Sequence, residues 1–285
     1  MKRLLDPPLR YFSVYIAVIA SAEALRLSNW AVLFGVMLAM MLWLGNRHAS
    51  QPGWRSMAAI CAFLAIGMNV SYQAMAGAIP AVRATRFDPQ LLAMDRLLAG
   101  ETPAVLLERI ASPALTELFS FCYIFFMPLL FVSLVRYFFR QRELLGEFYA
   151  GLFTVYGLGF LGYLLLPAAG PWLAHAGMFS IPLTGGPITL ANQAMVEHGS
   201  IRVDVWPSLH CAVSAYILGF ARRHHRREFL VLAAPITGLW VSTMYLRYHY
   251  LIDVLSGFAL AAFALYEARR YSRSAMKETA HVPAS

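Results

Sequence analysis

Residues 222–270 read RRHHRREFLVLAAPITGLWVSTMYLRYHYLIDVLSGFALAAFALYEARR. Two apolar runs, 229–246 and 250–267, are joined by a short aromatic and basic turn and flanked at both outer ends by arginines. Each run approaches the ~20 residues with which a helix crosses a bilayer. A helix also closes its own backbone hydrogen bonds, which a hydrocarbon solvent demands. The stretch predicts a transmembrane helical hairpin whose basic ends lie on one side.

The same pattern repeats toward the N-terminus. Further apolar runs at 11–27, 30–45, 56–76, 114–135, 148–166 and 207–221 bring the expected crossings to eight. The 285 residues are 59% hydrophobic and 13% charged, against about 25% charged in a soluble domain. The fold class expected is all-α, a polytopic membrane helical bundle of about eight transmembrane helices. The net charge of +8 is a topology signal and not a nucleic-acid footprint. With the N-terminus cytoplasmic, 16 Lys and Arg fall inside and 7 outside, as the positive-inside rule requires. Lys2, Arg3, Arg26 and Lys277 enter that count. Both termini are then cytoplasmic, and the block at 222–228 is a topology anchor beside anionic headgroups, with a regulatory lipid site as its rival. Ala22-Glu23-Ala24 imitates a signal-peptide cleavage site, but Pro7-Pro8 and the second run from Trp30 favour an uncleaved hairpin. Cys61, Cys122 and Cys211 lie in apolar runs without CxxC spacing, which supports neither a disulfide framework nor a zinc site.

Two outer segments are less regular. Asp88-Pro89 and Thr102-Pro103 read as helix starts, so 77–113 is expected to hold two short interfacial helices, either a connector or a lid. Residues 167–206 are rich in Gly and Pro and carry no assignable element.

Ionisable residues at membrane helices call for a functional reading. His210 follows Trp206-Pro207-Ser208-Leu209, where the outer segment turns into a helix. Free amides and the helix dipole there suit an anion, and Ser208 adds a hydroxyl. His249 and Asp253 are four apart and share a helix face, so Asp253 can orient the ring and leave its other nitrogen nucleophilic. Arg247 offers a charge for phosphate. The topology puts both helix starts on the outer face. His175 and His198 lack a carboxylate at helical spacing and are read as loop histidines; His48, His224 and His225 lie inside.

PSLH at 207–210 resembles the second motif of the type 2 phosphatidic acid phosphatase superfamily, and RYHYLIDVLSG at 247–257 its third. LPAAGPWLA at 166–174, including Pro171 and Trp172, is similar to a stretch of the inositol phosphorylceramide synthases, as is DPQLLAMDRLLAGETP at 88–103. The resemblance implies a six-helix catalytic core over 56–267, including the outer segment 77–113. A two-helix hairpin over 1–55 precedes it and a cytoplasmic tail over 268–285 follows. It implies His249 as the nucleophile that forms a phosphohistidine, Asp253 as its orienting partner, and His210 as the acid that protonates the leaving alkoxide. It implies no metal and no cofactor. Membrane lipids would be donor and acceptor, and the active site would face the periplasm of a bacterial-type inner membrane. The chain departs from the hydrolase branch: Gly170-Pro171-Trp172 carries no cation where the first motif has them, and Thr243 stands where an arginine is usual. Arg247 and then Arg202 are the candidates to meet the phosphate charge. A lipid phosphate phosphatase, and a transporter or non-catalytic lipid binder, remain open alternatives at this level.

Overall fold

The computed structural model describes residues 7–25 and 29–280, with side chains described over 10–25 and 29–274. Lys2, Arg3 and Arg26, and the side chain of Lys277, therefore lie outside the described residues. Those residues form α-helices and two short 3-10 turns, with no strand. Among the described residues, six stretches are long and apolar enough to cross a membrane. They are α2 (Asn29–Ser50), α3 (Trp54–Val82), the pair α6 (Pro113–Ile124) and α7 (Phe126–Phe139), α8 (Leu145–Leu165), α12 (Arg226–Tyr245) and α13 (Leu251–Ala280). The protein is an integral membrane protein. The two other expected crossings are helical as well. One is α1 (Pro7–Leu25), which carries Arg10 and Glu23, and the other is α11 (Leu209–His224). The 16 residues of α11 span only about 24 Å.

The run expected as one helix at 114–135 is two. Pro128 lies in the first turn of α7; its ring would clash with the Ile124 carbonyl and it has no N–H to offer it, so α6 stops there. The segment 77–113 holds the two expected short helices, α4 (Asp88–Ala99) and α5 (Pro103–Glu108). Asp88 is not the N-cap, however. Phe87 takes that position without a side-chain bond, and the Asp88 carboxylate is spent elsewhere. The segment 167–206, unassigned from sequence, contains α9 (Pro171–Ala174) and a full helix, α10 (Pro187–Gly199).

The chain packs as two compact units. The first comprises the described parts of residues 1–74, 133–158 and 262–285. In it Phe12 meets Phe153 at 6.2 Å between ring centroids, and Tyr137 stacks on Phe148 at 4.0 Å.

The second unit, residues 75–132 and 159–261, holds every candidate site residue. Four carboxylates from 88–117 bind its loops through backbone amides. Asp88 is buried and accepts from Ala169 N, Gly170 N and the Tyr250 hydroxyl at 2.9–3.1 Å. Asp95, fully buried, accepts from Leu251 N and Ile252 N at 3.0 Å and from Thr102 Oγ1 at 2.7 Å. Glu108 accepts from Ser180 N at 2.7 Å and from Ile181 N. Glu117 accepts from Gly186 N, Ile188 N and Thr189 N, and from the Thr189 hydroxyl, at 2.7–2.9 Å. Glu117 thus caps α10 and Asp95 caps α13, each from a distant part of the chain, satisfying amides that a helix start leaves open and placing negative charge at the positive dipole end.

Asp95→Ala leaves two buried amides and a hydroxyl without their acceptor, at about 1–3 kcal/mol for each orphaned group. The variant is expected to melt several degrees below wild type in detergent, measured by thermal unfolding. An unchanged melting temperature would show that α13 does not depend on this cap.

Candidate active site

Helix α12 ends in a turn that sets up the site. Arg247 N donates to Met244 O and Tyr248 N to Thr243 O, both at 3.0 Å. This is the paired bonding of a Schellman cap, whose left-handed position glycine usually fills. Here Arg247 fills it, with φ 68°. A side chain in that conformation costs roughly 1–2 kcal/mol, so the position keeps its arginine against backbone preference. His249 N also donates to Thr243 O, at 3.0 Å. The Thr243 carbonyl thus accepts two amides that close the turn.

The loop 167–172 closes over this turn. Trp172 N donates to Arg247 O at 2.8 Å, and the Trp172 ring meets Tyr248 edge-on at 6.1 Å. Pro171, buried, starts α9. Gly170 has φ 87°, and a Cβ there would run into the Tyr248 carbonyl oxygen. Only glycine provides both the conformation and the clearance.

His249 lies two residues before α13, not on it. Its Nδ1 is 3.6 Å from Asp253 Oδ2, an approach too long for a hydrogen bond but close enough to orient and stabilise a charged ring. Both residues are buried, at 3% and 0% exposure. Asp253 Oδ2 also accepts from Tyr250 N at 2.8 Å. Burial pushes the His249 imidazole down to about 4, against the pull of the Asp204 carboxylate and the Val205 carbonyl. At neutral pH that depression leaves the ring uncharged, with Nδ1 lacking a hydrogen-bond partner.

His210 is partly exposed on the first turn of α11, stacked on Tyr123 at 4.6 Å and against Phe126 at 4.5 Å. Its ring centroid is 5.8 Å from that of His249. That is the separation of two rings meeting edge to face. Ser208, fully buried, is the N-cap of α11: its Oγ accepts from Cys211 N at 3.3 Å. Pro207 therefore precedes the helix and does not sit in its first turn. Ser208 N donates to Asp253 O at 3.1 Å, and a Cβ on Gly257 would come within 2.6 Å of Ser208 O. Small-residue packing brings the two helix starts together. Among the described residues, no acceptor meets the amides of Leu209 and His210, so the start of α11 is open to an anion, whereas carboxylates already occupy that of α13.

The two candidate phosphate cations differ. Arg247 is 8% exposed; its guanidinium lies 4.1 Å from the Phe179 ring centroid, Nη2 donates to Ile181 O at 2.6 Å, and Nε has no partner. Arg202 is exposed, with φ 61°. His175 meets Tyr250 edge-on at 6.2 Å and His198 is exposed on α10. Three residues at or around the site escaped the sequence reading. Asp204 acts on His249 from the segment just before α11. Tyr123 stacks on His210, and Asn192 on α10 bonds Tyr248. Asp204 has a faint signal, as an acid three residues before Pro207; Tyr123 and Asn192 have none. No group of three His, Cys, Asp or Glu side chains among the described residues is arranged to hold a metal ion.

The PAP2 superfamily model matches residues 89–266, which includes all these groups except Asp88. The chain is also similar to a phosphoinositol dihydroceramide synthase of Bacteroides thetaiotaomicron, 29% identical over 150 residues, covering 47% of this chain and 48% of that protein. The chain thus spans about half the length of the curated relative it matches. No solved structure matches it. The family match over residues 89–266, more than half of the chain, places this protein in the PAP2 superfamily.

Proposed function

We propose that the protein is a lipid phosphotransferase that moves a phospho-headgroup from a phospholipid to a lipid hydroxyl through a phosphohistidine at His249. The observation that carries this reading is the pair of rings 5.8 Å apart, one neutral and backed by Asp253, the other at the open start of α11. In the first step a His249 nitrogen attacks phosphorus, the bond from phosphorus to the diacylglycerol oxygen breaks, and His210 gives its proton to that oxygen. In the second, an acceptor hydroxyl gives its proton to His210 while its oxygen displaces His249. The Leu209 and His210 amides hold the phosphoryl oxygens, as preorganised donors do where charge develops, and Arg247 supplies the positive charge. No step calls for a metal. The excess of basic residues at the opposite loop ends favours the periplasmic face for this chemistry.

The similarity to a phosphoinositol dihydroceramide synthase guides the test. Purified protein is given a radiolabelled phosphoinositol-headed phospholipid and a dihydroceramide acceptor. Wild type is expected to form the transferred product and His249→Ala to lose it by at least ~10³-fold, the scale of removing a nucleophile. Release of free headgroup phosphate with every acceptor, and no transfer, would replace this reading with a phosphatase. Transfer undiminished in His249→Ala would end it.

The depressed imidazole sets the pH dependence. His249 must be unprotonated to attack, so the loss caused by its own protonation falls at about 4, below the ordinary 6.5 of histidine. The acid limb of kcat/KM, which reports the free enzyme, is expected below pH 5. A midpoint near 6.5 would show a hydrated ring.

Arg247→Gly separates fold from function. Glycine suits the left-handed position, so the melting temperature is expected to stay within about 2 °C of wild type, since the relief of strain offsets the lost bond to Ile181. Transfer is expected to fall roughly 10- to 100-fold, as for loss of one charged phosphate contact. A full loss of stability, or wild-type transfer, would contradict the assignment.

A further inference from the structure

We propose that the outward face of α4 and α5 is a docking surface for anionic phospholipids of the leaflet on the active-site side: its leucines sit among the acyl chains and its arginines hold the phosphates. It does not depend on the transferase chemistry. The segment 83–112 joins two stretches that cross the membrane, α3 and the pair α6 and α7, so chain connectivity holds it at a bilayer surface. The surface is the one nearest His249, because Asp95 on α4 caps the start of α13.

The segment is two-sided in its apolar residues. On α4, Leu91, Leu92 and Asp95 are buried, and the two leucines pack in one cluster with Ala168, Val205 and Tyr250. Met94, Leu97 and Leu98 of the same helix are exposed, Leu97 at 86%. Leu106 on α5 and Ile110 just after it are exposed as well. Open apolar surface of this kind marks a contact site, and at a bilayer surface acyl chains cover it.

Charge is sorted the same way. Residues 83–112 carry four arginines and four acids. All four arginines, Arg83, Arg86, Arg96 and Arg109, are exposed. Asp88, Asp95 and Glu108 are buried on backbone amides, and Glu101 is bound to Arg96 at 3.1 Å. The segment is neutral by composition and cationic by surface. Among the described residues no carboxylate pairs with Arg83, Arg86 or Arg109; Arg83 is steadied over the Phe87 ring at 4.5 Å. All four arginines belong to the seven basic residues that the positive-inside count leaves on the outer side, where that rule gives them no role.

Exposed leucines beside unpaired arginines form the pattern of a helix lying in an anionic interface. An arginine binds a phosphate through two parallel hydrogen bonds. A neutral lipid would satisfy the leucines and leave the arginines without counter-charge. A second copy of the chain would bring its own arginines against them and be repelled. Such a surface concentrates anionic phosphate esters on the element that caps α13.

The test uses the full chain carrying Leu97→Cys, labelled with a fluorophore and reconstituted in phosphatidylcholine vesicles. The native cysteines Cys61, Cys122 and Cys211 are buried, and wild type treated in the same way supplies the background. A nitroxide quencher is placed on the acyl chain of either phosphatidylcholine or phosphatidylglycerol, in equal amount. Both lipids are expected to quench, the anionic one roughly two-fold more at low salt, with the excess lost at high salt. Arg83→Gln/Arg86→Gln/Arg109→Gln in the same labelled chain is expected to keep the quenching by phosphatidylcholine and lose the excess. Met94→Cys repeats the measurement from the same face if the first variant does not fold. No quenching by either lipid would overturn the proposal, and energy transfer between labelled chains in its place would assign the face to a second copy. Equal quenching by the two lipids, or an excess that survives the triple variant, would overturn it by removing the arginines' part.

Discussion

The active-site half of the molecule depends on how buried backbone amides are satisfied at the start of α13. Tyr250, Leu251 and Ile252 each present an N–H there, and two carboxylates accept all three: Asp253 from within the helix and Asp95 from α4. Away from water such amides cannot be left open cheaply. Their satisfaction fixes where α13 begins, and with it His249, which hangs from the Thr243 carbonyl just before. The segment 88–117 is therefore more than a connector: four of its five acids bind the loops that converge on the histidines.

That arrangement divides the work between two neighbouring helix starts. The start of α13 is filled with negative charge beside the His249 imidazole. The start of α11 is capped by Ser208 but leaves two amides open, which suits an anion. The backbone bond from Ser208 to Asp253 and the close packing on Gly257 hold the two together.

Much of this was legible in the sequence because it is local. The alternation of apolar runs and basic blocks gave the helical membrane fold, and the four-residue spacing of His249 and Asp253 gave the pair. What escaped was non-local or conformational. Asp88 and Asp95 looked like parts of a short amphipathic helix, but their amide partners lie 81 and 156 residues away and beyond. Helix α10 was hidden because its start is capped by Glu117 from another helix. Arg247 read as a cation, but its left-handed backbone, which ties charge to turn, shows only in three dimensions. Asn192, which bonds Tyr248, had no motif at all.

The most direct measurement of the central claim is acid-quench-free, base-stable peptide mapping of wild-type protein caught during turnover with phosphoinositol-headed donor and no acceptor. The account predicts a phosphorus–nitrogen adduct on the peptide carrying His249, bearing the headgroup as well as the phosphate, and discharged when dihydroceramide is added. An adduct on another residue, or turnover with no covalent adduct on His249, would contradict it.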